Sequence, residues 1–249
     1  MEWIKSRNPL DYKIALAQME EIVDKIIIGD AQETIWLLEH NEIYTAGTST
    51  KDIHLKNVKG APIIKTNRGG QLTFHGPGQR IIYLMVNLER FSYDIRKYVS
   101  FLEQLIMDTL YEFNIITHRW DKAIGVWTYK SITSKKIIKK ERQKIASIGI
   151  RVRKKISFHG ISVNIYPNLN FFDKIIPCGL ENSKATSAKE LGVKISYNDL
   201  IIKATALSLK YHPEINSQWS DNYITQHKHV HVGVAVAVED GLVVPVLKF

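Results

Sequence analysis

The sequence predicts an α/β (α+β) architecture in which helices pack on a mixed β-sheet. Two stretches, residues 9–28 and 94–113, repeat apolar side chains at helical spacing. Between and after them run short β-rich segments broken by turn residues. A sheet covered by helices is the economical way to bury both patterns. The chain contains no internal repeat and no low-complexity linker.

The first helix has Pro9 near its start and Gly29 at its end, with Leu10, Ile14, Met19, Ile22, Val23 and Ile26 as its expected apolar side. "TIWLLEH" (34–40) and "APIIKT" (61–66) read as strands, and "QLTFHG" (71–76) and "RIIYLMVNL" (80–88) as two more. Asp94 to Phe113 is the second helix, with Ile95, Val99, Leu102, Leu105 and Ile106 on one side. "AIGVWTY" (123–129), "KIASIGIRV" (144–152) and "ISFHGISVNI" (156–165) follow as β-rich segments separated by basic turns. Toward the end, Ser196 and Asp199 form a capping-box pattern for a helix running to about Tyr211, where Pro213 stops it. Residues 229–247 alternate as a hairpin around Glu239-Asp240-Gly241.

At 249 residues the chain can bury a real core in one or two domains, and 45% hydrophobic with 24% charged residues is a globular balance. No apolar run approaches the ~18 residues of a membrane span. "MEWIKSRNP" lacks an apolar signal core, so a cytoplasmic location is expected, without membrane association. One cysteine, Cys178, excludes an internal disulfide and a multi-cysteine metal site. The net charge of +9 is uneven: residues 135–144 and 151–155 together hold ten Lys or Arg and one acid, Glu141. Such a field draws acidic partners. No nucleic-acid motif accompanies it, and an acidic protein or a merely solvated lysine-rich face fits as well.

The stretch "RGGQLTFHGPGQ" (68–79) packs four glycines beside one arginine and one histidine. It is neither G-x-G-x-x-G nor a Walker loop, and it could be a tight connection or a surface that lets another molecule approach the main chain. Cys178 lies in the apolar "IIPCGL", closed by Pro177 and Gly179. A lone cysteine of this kind is usually inert packing. As a nucleophile it would need a neighbouring cation or base to form thiolate. Lys144, opening an otherwise apolar strand, is one candidate; His75 and His159, both beside glycines, are two more. Spacing does not choose among the three.

"RGGQLTFHGPGQ", "KIASIGIRV", "FHGISVNI" and "IIPCGL", with the upstream "DYKIAL" (11–16), "LLEHNEIYTAG" (37–47) and "GVW" (125–127), resemble in order and spacing the lipoyl(octanoyl) transferase family, also called lipoate-protein ligase B. The resemblance covers roughly residues 8–192. It implies the fold of the biotin and lipoate ligase catalytic domain. The implied activity moves an octanoyl group from octanoyl-acyl carrier protein onto a lysine of a lipoyl domain, through an acyl-enzyme thioester and without a cofactor. Acceptors implied are the lipoyl domains of 2-oxo acid dehydrogenases and the glycine cleavage H protein; nucleic acid is not among the partners. Carried over by position, Cys178 is the acyl-accepting nucleophile, and Lys144 lowers its pKa and acts as acid/base partner. Arg68, Gly69, Gly70, Gln71, Leu72, Thr73, Phe74 and His75, with Ser147, Ile148, Gly149, Gly160, Ile161 and Ser162, would line the acyl and pantetheine pocket. Phe74 stands where tyrosine is common in the family.

From about residue 194 the chain resembles instead the catalytic domain of a 2-oxo acid dehydrogenase acyltransferase subunit. The acyltransferase H-x-x-x-D-G motif is incomplete, since position 236, four residues before Asp240, is Val236. The expected division is therefore a transferase domain over 1–192 and a partial, non-catalytic acyltransferase-like fragment over 193–249. Two other functions fit parts of the chain. An ATP-dependent lipoate ligase shares the fold but needs no nucleophilic thiol, and a non-catalytic module could dock on a dehydrogenase complex through the tail.

Overall fold

The computed structural model describes residues 1–51, 60–121, 123–134, 137–175, 183–192, 202, 205–206, 208–210, 212–238 and 241–248. They fall into two units, Met1–Val193 and Lys194–Phe249. Cys178, Pro177, Gly179, Ser196, Asp199 and the Glu239-Asp240 pair lie outside the described residues.

The first unit opens with β1 (Glu2–Lys5) and α1 (Tyr12–Ile28). Asp11 caps α1, its carboxylate accepting the Lys13 and Ile14 N–H groups at 2.8 and 3.2 Å. Gly29 ends it in the left-handed conformation. The buried stripe is Tyr12, Ala15, Met19 and Val23. Ile14, expected on that side, is 56% exposed. Its hydrophobicity suggested the core, but the helix is rotated so that the smaller Ala15 meets the sheet.

β2 (Thr34–Leu38), β3 (Ile43–Ala46), β4 (Ile63–Lys65), β5 (Leu72–His75) and β6 (Gln79–Asn87) follow. Then come α2 (Ile95–Tyr111), β7 (Val126–Ser134), β8 (Ile137–Arg153), β9 (Ile156–Asn164) and the short β10 (Ser183–Ala185). The main sheet runs β1-β2-β6-β9-β8-β10, with β7 also on β8. β1–β2 and β8–β10 are parallel and the other pairs antiparallel, so the sheet is mixed as the sequence predicts. A second sheet, β4-β3-β5, carries the strand before the Gly-Pro-Gly turn.

One core lies between α1 and the main sheet, where Ala15, Met19 and Val23 meet Trp36, Tyr83, Met85 and Phe158. A second joins the small sheet to the 3-10 turn over Leu169–Lys174 through Tyr44, Phe74, Phe172 and Ile175. On α2 the buried positions are Tyr98, Leu102, Glu103, Ile106 and Leu110, while Ile95 and Leu105 are exposed. A carboxylate thus takes a place that the apolar pattern had assigned elsewhere.

In the second unit, residues 202, 205–206 and 208–210 are helical. β11 (Ser217–Ser220) pairs antiparallel with β12 (Tyr223–Gln226), a hairpin the sequence reading did not foresee. The expected hairpin over 229–247 forms two short ladders: β13 (His231–Gly233) with β16 (Val246–Lys248), and β14 (Val236–Val238) with β15 (Gly241–Val243).

Candidate active site

Within the first unit a cavity of about 510 Å³ opens between the glycine-rich stretch, β6, β8 and β9. Its wall includes Arg68, Gly69, Gly70, Gln71, Leu72, Thr73 and His75 from the stretch, and Lys144, Ser147, Ile148 and Gly149 from β8. Gly160, Ile161 and Ser162 come from β9, and Tyr12, Tyr83 and His159 complete one side. Sequence segments singled out separately thus meet around one space. Phe74 does not share it: its ring stacks on Phe171 at 4.4 Å and fills the second core. Thr73 and His75 lie on the opposite face of β5 from Phe74, while Leu72, on the Phe74 face, lines the cavity nonetheless.

The glycines of the stretch serve close approach. The Gly69 N–H donates to the Ile150 carbonyl at 3.0 Å, docking the loop on β8 main chain to main chain. A Cβ at Gly149 would lie 3.0 Å from the Gly69 oxygen and 3.2 Å from Arg68 Cδ. Gly69 is therefore committed to β8, and its N–H does not point at a substrate oxygen.

Arg68 is buried and tied down on its own loop. Its Nη2 donates to the Thr45 carbonyl at 2.6 Å and the Gln71 carbonyl at 2.9 Å, and Nη1 to the Gly69 carbonyl at 3.0 Å. Nε and Nη2 also reach Thr45 Oγ1 at 3.2 and 2.8 Å. The guanidinium thus shapes the loop that its neighbours present to the cavity.

From Thr45 a chain of side-chain hydrogen bonds runs beneath the wall. Gln79 Nε2 donates to the Phe74 carbonyl at 3.1 Å and to Asn164 Oδ1 at 2.9 Å, so Gln79 Oε1 is the acceptor 2.6 Å from His75 Nδ1. The proton of His75 therefore sits on Nδ1, and Nε2 accepts from the Thr45 hydroxyl at 3.1 Å. At the other end Asn164 Nδ2 donates to the Thr186 carbonyl at 2.9 Å, and the Thr186 N–H donates to the Lys144 carbonyl at 2.9 Å. Neither Thr45, Gln79 nor Asn164 was singled out by the sequence. A polar residue at an inward strand position was the available signal.

The histidines are neutral. Burial, helped by the nearby His40 and Arg68, holds the His75 pKa well below 6.5. Burial lowers His40 to about 4, even though Nδ1 bonds the Leu10 carbonyl; Nε2 takes the Tyr83 hydroxyl at 2.7 Å. Burial, then Arg68, brings His159 to about 3. The His159 backbone stands at φ +58° with its ring stacked on Phe158. None of these rings offers a cation to a thiol at neutral pH, and both nitrogens of His75 are already engaged.

Lys144 is the contrasting group. It is buried on the cavity wall, its Nζ donating to the Ile124 carbonyl at 2.9 Å and lying 5.2 Å over the Trp127 ring. Val126 and Trp127 of β7 pair across from Ala146 and Lys144, which brings "GVW" beside the lysine. Of the three partners weighed for Cys178, Lys144 alone brings a cation to the cavity. Among the described residues no group of three or more His, Cys, Asp or Glu could hold a metal ion, and no helix is long and apolar enough to cross a membrane.

Residues 11–206 match the family described as the lipoyl protein ligase A/B catalytic domain. Residues 164–249 match the catalytic domain of 2-oxoacid dehydrogenase acyltransferases. An octanoyltransferase of Bartonella tribocorum is 45% identical over 203 residues, covering 81% of this chain and 83% of its own length. One from Jannaschia is 41% identical over 201 residues, 80% and 93% of the two chains. Among solved structures, protein Ta0514 from T. acidophilum with bound lipoic acid aligns with a TM-score of 0.58 at 12% identity, covering 84% of each chain. Lipoate-protein ligase A bound with ATP aligns at 0.55 and 14% identity, covering 85% of each. At these identities the two structures speak for the fold alone.

Proposed function

The chain belongs to the lipoyl protein ligase A/B catalytic-domain family and, within it, to the octanoyltransferases, and from that premise we propose how it transfers octanoyl groups in protein lipoylation. Octanoyl-acyl carrier protein is the donor. The Cys178 thiolate attacks the thioester carbonyl, and the tetrahedral intermediate collapses with departure of the pantetheine thiolate, which takes its proton from the Lys144 ammonium. The amine of an acceptor lysine then attacks the octanoyl-cysteine. Neutral Lys144 removes its proton, the Cys178 thiolate leaves, and an amide remains. Acceptors are lipoyl domains, those of 2-oxo acid dehydrogenases and the glycine cleavage H protein among them. Converting a thioester to an amide is downhill, so neither ATP nor a cofactor is called for, and the reaction belongs in the cytoplasm.

The observation that carries this reading is the Lys144 side chain, buried on the wall of the cavity that the glycine-rich stretch closes. A cation placed there favours thiolate next to a space lined by apolar side chains suited to an acyl chain. Residues 1–192 form the transferase domain in this reading, and 193–249 an acyltransferase-like fragment without its catalytic histidine. Incubation with octanoyl-acyl carrier protein in the absence of ATP, followed by intact mass measurement, tests it. An octanoyl adduct on the wild type that is absent from Cys178→Ser is expected. Unchanged turnover in Cys178→Ser would overturn the mechanism.

A further inference from the structure

The turn that receives the Lys144 ammonium has a buried anchor of its own. Its carbonyl is that of Ile124, and the residues on either side are both held. Trp127 Nε1 donates to the Ala123 carbonyl at 3.1 Å, and the Gly125 N–H donates to Glu103 Oε1 at 2.9 Å. Glu103 is buried within the inner stripe of α2, and its Oε2 lies 3.3 Å from Arg119 Nε. Gly125 sits at φ +127°, and a Cβ there would lie 2.5 Å from Lys144 Cε and 2.7 Å from the Ala146 carbonyl. The missing side chain is what gives the end of the lysine its room.

Burying a carboxylate in a helix stripe costs free energy unless hydrogen bonds and an opposite charge compensate it. An apolar residue would pack α2 against the sheet at least as well, so packing does not account for Glu103. Its acceptor fixes one end of a three-residue turn, Trp127 fixes the other, and the carbonyl between them takes the lysine. We propose that Glu103 is a positioning residue: through the Gly125 N–H it orients the Ile124 carbonyl, and that carbonyl sets where the Lys144 ammonium stands. The consequence for catalysis rests on the reading of Lys144 as the proton partner of Cys178. The placement of the ammonium does not.

Two conservative variants of the full chain separate the roles. Glu103→Asp keeps the charge but withdraws the acceptor from Gly125, whereas Glu103→Gln removes the charge and keeps an acceptor oxygen at the same reach. The expected order is that Glu103→Asp loses kcat by on the order of 100-fold with little change in KM, the scale of a misplacement of about 1 Å. Glu103→Gln should stay close to wild type. Labelling of Lys144 by acetic anhydride, read by mass spectrometry, should rise in Glu103→Asp and not in Glu103→Gln. The pH at which iodoacetamide alkylates Cys178 should move in the same order. The reverse order, or labelling that neither variant changes, would overturn the proposal and leave Glu103 as an ion-pair partner of Arg119. Lys144→Ala supplies the control: full transfer activity in that variant would sink the catalytic reading, while the labelling order would still decide the placement.

Discussion

His75 Nδ1 donates to Gln79 Oε1 at 2.6 Å, a bond inside the cavity wall that sets the tautomer of the ring. Gln79 is wholly committed: its amide also serves Phe74 and Asn164. Gln79→Leu would strand the His75 proton, the Phe74 carbonyl and Asn164 Oδ1 in a buried site. An unsatisfied buried group costs about 1–3 kcal/mol, so a loss of roughly 2–4 kcal/mol after partial relaxation is expected. Urea unfolding measures it, and a loss below about 1 kcal/mol would show that the chain of bonds does not stabilise the fold.

Protonation should act on the same region. Unfolded histidines bind a proton below about pH 6.5, whereas folded His40 does so only near 4 and His159 near 3, and His75 is likewise depressed. Protons therefore favour the unfolded state, and stability falls as pH drops from about 6.5 toward 3, with no contribution from these groups above about 7.5. For His40 alone the loss is on the order of 3 kcal/mol. Calorimetry at pH 5 should find about two protons taken up on unfolding by His40 and His159, with His75 adding to them. An uptake no larger than that of His40→Gln would contradict the assignment for His40.

The fold was legible where local pattern and packing agree. Gly29 and Asp94 mark helix ends, Asp11 rather than Pro9 proves to be the cap of α1, and α1 and α2 begin and end close to the expected places. Which face of each helix turns inward was less legible: Ile14, Ile95 and Leu105 are exposed while Tyr12 and Glu103 are buried, because rotation is decided by partners distant in sequence. At the candidate site, the segments around Arg68, Lys144, Ser147 and Gly160 were visible by resemblance. Thr45, Gln79 and Asn164 lie inside the resembling motifs and Glu103 in none of them, yet none was given a role, since their roles arise only when segments far apart in the chain become neighbours.

The contact between Gly69 and Gly149 predicts a sensitive position. Gly149→Ala places a methyl 3.0 Å from the Gly69 oxygen, so the loop must lift by a few tenths of an ångström from β8. Main-chain docking should survive, and the melting temperature with it. The cavity wall should not keep its shape, and kcat/KM for the octanoyl donor should fall by about tenfold, less than the loss from a full 1 Å displacement. Gly149→Val should lose more. Unchanged kinetics in both would mean that the loop adapts freely and that the fit between these glycines is incidental.

The basic segment is expected to recruit the acidic donor, but its members are not equivalent. Arg153 pairs with Asp24 at 2.9 Å, donates to the Glu20 carbonyl and covers the Phe158 ring, so reversing its charge would loosen α1 as well as alter the surface. Lys154 is exposed in the β8–β9 turn and is the cleaner probe. Charge reversal at Lys139, Lys140 and Lys154 should raise KM for octanoyl-acyl carrier protein and make it less salt-dependent. A small octanoyl thioester should be used as before. Equal losses on both donors would assign the segment to something other than recruitment.

The last prediction concerns residues 213–249. The ladders β11–β12, β13–β16 and β14–β15 are each two-stranded, and an isolated two-stranded pair is marginal in water. Their apolar side chains face solvent: Trp219 is 74% exposed and Leu242 65%, with Ile224, Val244 and Val246 also exposed. Open strand edges beside exposed apolar side chains favour association between chains. The transferase-family match ends at residue 206, and the Met1–Val193 unit holds the whole of the described cavity. Ending the chain at His212 should therefore preserve octanoyl transfer while lowering the tendency to associate, read by light scattering over a concentration series. Acyl exchange between coenzyme A and dihydrolipoamide should be absent from both lengths, because position 236 is valine where the acyltransferase motif places histidine. Loss of octanoyl transfer on shortening, with the first unit still folded by circular dichroism, would make the tail part of the working enzyme and move the functional boundary past residue 212.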